Sequence, residues 1–327
     1  MTAIVGHDAA AAAFLAAMRG GALHHAWLLT GPDGVGKGLF ARLAAARLLA
    51  GATGEVPDGA PLGLDPGSRT ASLIAAGAHP DFRILQRLQK DPDKPDLARS
   101  ISIAQVRGLQ PMFATAPALA PARAVVIDAI DDLERGGANA LLKNLEEPPQ
   151  GTIFFLVSHA PGRLLPTIRS RCRLLRFDPL FDREVDRVLR DELPETDDAE
   201  RAALVAAGEG SPGRAIRYAG LDVAGIDVAL ARFAEGDRDN SERLKLSRAL
   251  SLKAAQPRYE LFLDRAGRFI AAAARTRQGE PLRIALDAHQ AARDLAAAAI
   301  GLSLDPQATV IEMAGIVARL HGGGAPR

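Results

Sequence analysis

Apolar residues follow two textures along this chain. Before Pro179, short continuous apolar runs alternate with longer stretches of helical period; beyond it only the helical period remains. Ala26-Trp27-Leu28-Leu29-Thr30 reads as a short buried strand, after which Leu39, Phe40, Leu43, Leu48 and Leu49 recur at roughly helical spacing. Phe82 to Leu85, Ala124 to Asp128, Ile153 to Val157 and Arg173 to Phe177 are further candidate strands. Ala138 to Glu147 is helical in composition and stops at Pro148-Pro149. Strands alternating with helices predict an α/β fold with a parallel sheet. Residues 51–70 and Lys90 to Pro95 read as loops, rich in Gly, Pro and charge. Leu180 to about Tyr218 reads as a small helical domain, and the chain from about Val223 as a second helical unit. Its apolar stripes lie at Leu244–Leu252, Tyr259–Ala274 and Ala285–Ile300. Three domains are thus expected, over 1–178, 179–222 and 223–327, with a disordered Gly/Pro tail from His321 to Arg327.

Composition narrows the class. A chain of 327 residues, 48% hydrophobic, can bury two or three cores and is not largely disordered. Forty Lys+Arg against 39 Asp+Glu give no global charge argument for nucleic acid, so any such contact needs a local patch. Cys172 is the single cysteine, which excludes an intrachain disulfide and a Cys-rich zinc site. The apolar run from Ala9 to Met18 is too short to span a bilayer and follows His7-Asp8 rather than a basic segment. The expectation is a soluble, cytoplasmic protein without membrane contact.

Gly31-Pro32-Asp33-Gly34-Val35-Gly36-Lys37-Gly38 meets every fixed position of a phosphate-binding P-loop except the last. Its place between a strand and a helix aims backbone N–H groups and a helix N-terminus at one anion site. Lys37 is the residue type that reaches the outer phosphates; the alternative is a glycine-rich turn that binds nothing. Gly38 stands where a hydroxyl should hold Mg²⁺, although water can fill such a coordination position. Asp128, at its strand end, occupies the place of a second Mg²⁺-contacting carboxylate, with a strand-terminal turn residue as the plain alternative. Hydrolysis would further need a base to activate water, but Ala129 follows. Asp131 and Asp132 lie further on, where face and reach have changed.

Asn139-Ala140-Leu141-Leu142-Lys143-Asn144-Leu145-Glu146-Glu147-Pro148-Pro149 and Ser170-Arg171-Cys172 together resemble bacterial DNA polymerase III clamp-loader subunits of the AAA+ class. His24-His25-Ala26-Trp27 and Gly77-Ala78-His79-Pro80-Asp81 add to the resemblance, which covers roughly Val5 to Tyr218. It implies an AAA+ P-loop module followed by a helical lid and an all-helical collar. The family's motor subunits carry a full P-loop and an Asp-Glu pair; Gly38 and Ala129 depart from both, as the delta-prime type does. Gly210-Ser211-Pro212-Gly213-Arg214 resembles the delta-prime sensor-2 segment, which assigns Arg214 to a γ-phosphate if nucleotide binds. Ser158 falls at the sensor-1 position.

By resemblance, Arg171 is an arginine finger acting on ATP held by a neighbouring subunit. A guanidinium suits that role because its planar donors neutralise charge on a transferring phosphoryl group. The alternative is a solvated basic face, since Arg163, Arg169, Arg173 and Arg176 lie nearby with no acid among them. Cys172 reads as a small core residue. The cofactor expectation is ATP or ADP, held weakly or as a structural ligand by Gly31, Gly34, Gly36, Lys37, Gly38, Asp128, Ser158 and Arg214. The family's four-cysteine zinc module would fall at Val56, Asp65, Ser68 and Ala71, so no zinc is expected and packing must replace it. The implied partners are gamma/tau motor and delta subunits, the sliding clamp indirectly, and primed DNA within the assembly. Two rival readings are an active clamp-loader ATPase that uses Asp131, and a P-loop enzyme of another class.

Overall fold

The computed structural model describes residues 4–21, 23–90, 97–119, 121–236 and 240–323. Most of the polar break at Lys90–Pro95, and the tail past residue 323, lie outside them. His321 itself belongs to a 3₁₀ turn, Arg319–Gly323, which shortens the predicted tail. By contact density the residues fall into two compact units. The first comprises the chain up to Val188 with Glu209–Arg214; the second comprises Leu189–Gly208 and the chain from Ala215 onward.

The first unit is built on five strands: β1 (Ala26–Thr30), β2 (Phe82–Gln86), β3 (Arg123–Asp128), β4 (Thr152–Ser158) and β5 (Arg173–Arg176). All pairings are parallel, in the order β2-β3-β4-β1-β5. The five predicted strands are these five, within a residue or two at each end. β1 and β4 are buried at every position, because both faces of the sheet are covered; that is why they read as continuous apolar runs rather than alternating ones. Successive side chains point to opposite faces. Trp27, Leu29, Phe155 and Val157 therefore join one core with α1 (Asp8–Arg19) and α2 (Lys37–Ala52). Phe14 of α1 meets Trp27, Phe40 and Phe155 edge-on, at ring separations of 5.4, 6.2 and 5.6 Å. Leu28, Phe154 and Leu156 join the other core.

That second core is closed by four further helices. They are α4 (Ile103–Arg107), α5 (Gln110–Phe113), α6 (Arg135–Glu146) and α7 (Pro166–Arg169); α3 (Arg69–Ala75) lies earlier in the chain. Ser102 and Gln105 form a capping box that starts α4. The Gly77–Asp81 segment is structural, since both Asp81 oxygens accept backbone N–H bonds, from Ala118 and Leu119, at 2.8 and 2.9 Å.

The later chain is helical throughout the described residues, as its texture predicts. It runs through α8 (Asp182–Glu192), α9 (Asp198–Gly208), α10 (Pro212–Tyr218), α11 (Val223–Ala234), α12 (Ser241–Leu250), α13 (Gln256–Arg275), α14 (Gly279–Leu302) and α15 (Pro306–Ala318). Within the second unit, Arg265 grips Asp227 through two bonds of 2.8 Å, joining α13 to α11.

In the loop between α2 and α3, polar side chains close the chain. Arg47 of α2 is 1% exposed, and its Nη2 donates to the carbonyls of Pro57 and Asp58 at 2.8 and 3.2 Å. Glu55 accepts from the Thr70 hydroxyl at 2.5 Å and from the Thr70 backbone N–H. Leu62 and Leu64 are buried beneath. Arg47→Met keeps the stem and removes the donors, so it is expected to lower stability by about 1–3 kcal/mol. Urea unfolding of the whole chain measures this.

Candidate functional site

The carboxyl ends of β1, β3 and β4 converge on one crevice. Gly31 leaves β1 with φ 148°, and a Cβ there would collide with the carbonyl oxygen of Phe177. Gly34 has φ 81°, and a Cβ on it would lie 2.7 Å from the backbone nitrogen of Arg214. Only glycine fits either place. Gly36 immediately precedes α2, and His7 steadies the loop by donating from Nε2 to the Val35 carbonyl at 2.7 Å. Gly213 donates its N–H to Gly34 O at 2.8 Å, so the sensor-2 segment rests on the loop through backbone contacts. Arg214 is buried, with Nη1 3.8 Å from Glu209.

Lys37 turns back on its own loop. Its Nζ donates to Gly31 O at 2.7 Å and also to Pro32 O, while the side chain is buried. Burial lowers its pKa to about 8, against the pull of Asp33, Asp128 and Asp131. Its ammonium is thus held by two carbonyl oxygens of its own loop.

Asp128 fills the place opened by Gly38. A Cβ on Gly38 would clash with Asp128 Oδ2, so the absent side chain leaves room for the carboxylate to lean toward α2. Burial raises the Asp128 pKa, offset in part by Arg42, whose Nη2 is 3.8 Å away. Ser158 is fully buried and donates its hydroxyl to Asp131 Oδ1 at 2.9 Å. Asp131 also accepts the N–H groups of His159 and Ala160 at 2.6 and 3.3 Å. A short 3₁₀ turn, Ile130–Asp132, carries Asp131 back to the crevice, so two residues downstream still reach the site. With three donors on its two oxygens, Asp131 pins the end of β4.

The structure brings Gly31, Gly34, Gly36, Lys37, Gly38, Asp128, Ser158 and Arg214 to this crevice, and it sets Arg171 elsewhere. β5 starts at Arg173, level with Trp27 of β1. Arg171 therefore lies at the amino ends of the strands, at least four residues, or roughly 13 Å, from the P-loop end. Its Nη2 pairs with Glu146 Oε1 at 2.8 Å, and its Nη1 donates to Thr167 O at 3.0 Å. Three of the neighbouring arginines have partners in the fold. Arg171 has Glu146, Arg176 has Asp178 at 3.1 Å, and Arg173 lies over the Trp27 ring at 4.9 Å. Cys172 is partly buried against the second core, and burial pushes its thiol up to about 12, which disfavours the reactive thiolate.

Residues 6–181 match the profile of the family described as DNA polymerase III, delta subunit. The chain belongs to this family. Within it, the chain is 39% identical to DNA polymerase III subunit delta′ of Pseudomonas aeruginosa over 154 residues, 45% of this chain and 41% of that protein. It is 35% identical to subunit delta′ of Bacillus subtilis over 174 residues, 52% and 47% of the two chains. A gamma/tau subunit of Mycobacterium tuberculosis is 32% identical over 213 residues, 64% of this chain and 34% of that one. The matched stretches take in less than half of each relative's length. The delta-prime-type clamp-loader resemblance read from the motifs is thereby borne out. No helix of the described residues is long and apolar enough to cross a membrane.

One pH effect follows for this family member. Lys37 keeps its proton to about pH 8 when folded, but to about 10.4 when unfolded. Between those values the unfolded chain binds more protons, so the Lys37 contribution to stability rises with pH. Lys37→Met is expected to remove that rise, about 3 kcal/mol at most. Urea midpoints of wild type and variant, compared at pH 7 and pH 10, measure it.

Proposed function

We propose that this chain is a delta-prime-like clamp-loader subunit that lends Arg171 to ATP on a neighbouring subunit and does not hydrolyse ATP itself. The observation that carries this reading is the separation of two half-sites across one sheet. The phosphate loop lies at the carboxyl ends of the strands, and Arg171 precedes the amino end of β5. In this reading the guanidinium, paired with Glu146 rather than with its own loop, serves a phosphoryl group held by another chain. Its own crevice lacks the Gly38 hydroxyl and a carboxylate at Ala129, while Asp131 is committed to Ser158 and two backbone N–H groups. The loop then holds ATP or ADP weakly, as a structural ligand, through Lys37 and the backbone.

In this reading residues 179–222 act as lid and residues 223–327 as collar. The ring partners are gamma/tau motor and delta subunits, and the ATP state of the ring is coupled to opening of the sliding clamp at primed DNA. A trans arginine is worth about 10³–10⁵ in rate at the site it serves. Arg171→Ala in a reconstituted loader is therefore expected to abolish DNA-stimulated turnover at one neighbouring site, read in single-turnover experiments as a missing share of the burst. A burst equal to that of the wild-type loader would sink the assignment.

A further inference from the structure

We propose that Glu146 is the positioning residue of this finger: its carboxylate holds the Arg171 guanidinium stowed until a phosphate on the neighbouring subunit displaces it. The proposal rests on the trans-finger reading above. Arg171 is engaged on two arms, with Nη2 on Glu146 Oε1 at 2.8 Å and Nη1 on Thr167 O at 3.0 Å. Carboxylate and phosphate compete for the same planar fork, so an arm that holds one is unavailable to the other. A carboxylate at that distance also cancels the charge a finger must deliver and repels an approaching phosphate.

Glu146 is itself held in place. It is the last residue of α6, where Pro148-Pro149 prevents the helix from continuing. Its neighbour Leu145 accepts a 3.0 Å hydrogen bond from His25 Nε2, and His24 stacks on His25 at 4.4 Å. The His24–Trp27, Leu145–Pro149 and Ser170–Cys172 segments thus meet at one spot, although they are far apart in sequence. The pair is about half exposed, at 34% and 48%. Exposed pairs are worth little, so this one is strong enough to bias the finger and weak enough for a multiply charged phosphate to break.

The test uses the complete reconstituted loader, saturated with ATP and without DNA. Glu146→Gln keeps the shape and removes the charge. It is expected to raise kcat about two- to fivefold, leaving the KM for ATP and the melting temperature of the subunit unchanged. Adding Glu146→Gln to Arg171→Ala is expected to change nothing further. An unchanged or lowered kcat in Glu146→Gln overturns the stowing role, as does the same rise in the Arg171→Ala background. Arg171→Ala with wild-type single-turnover kinetics in the presence of DNA overturns the finger reading itself, and the role of Glu146 with it.

Discussion

Everything functional in the first unit hangs on β1. This strand is hydrogen-bonded along both edges, to β4 and β5, and buried on both faces. Its carboxyl end delivers Gly31 so close to the Phe177 carbonyl that no side chain fits. Its amino end carries His24 and His25, which brace the tip of α6. A strand so enclosed cannot slide, because a one-residue slip would exchange Trp27 and Leu29 for Leu28 between two packed cores. The phosphate loop and Arg171 therefore lie toward opposite ends of the same strand, and the proposed role in trans rests on that separation.

The polar groups of the phosphate crevice are bonded to one another. Groups that would serve catalysis are turned inward, with Lys37 on loop carbonyls, Ser158 on Asp131, and Asp131 on the end of β4. Asp128 leans into the space left at Gly38. Lys37, Ser158 and Asp131 thereby have their polar atoms hydrogen-bonded within the crevice. In the loop between α2 and α3, Arg47 bonds the carbonyls of Pro57 and Asp58, and Glu55 accepts from Thr70.

The sheet is legible in the residues because its strands are apolar on both faces and bounded by turn chemistry, and all five fall where the pattern puts them. Arg171 is identifiable only through its motif, since a basic run by itself does not distinguish a finger from a solvated face. Asp131 reaches further than its place in the chain suggests, because a 3₁₀ turn, not an extended strand, follows Ala129. The pairings of Glu146 and Arg47 are not legible locally, because their partners, Arg171 and Pro57–Asp58, are supplied by other segments.

By itself, the sequence determined what local chemistry can encode: the parallel α/β class, the phosphate loop and its two departures at Gly38 and Ala129, and the helical character of everything after Pro179. Those follow from short-range periodicity and from the steric needs of glycine. Only the tertiary structure decided the strand order, the opposite placement of Lys37 and Arg171, and the pairing of Ser158 with Asp131 and of Arg171 with Glu146. Hydrogen bonds and ion pairs act through space, and nothing in the spacing of residues along the chain reveals which segments folding brings within three ångströms.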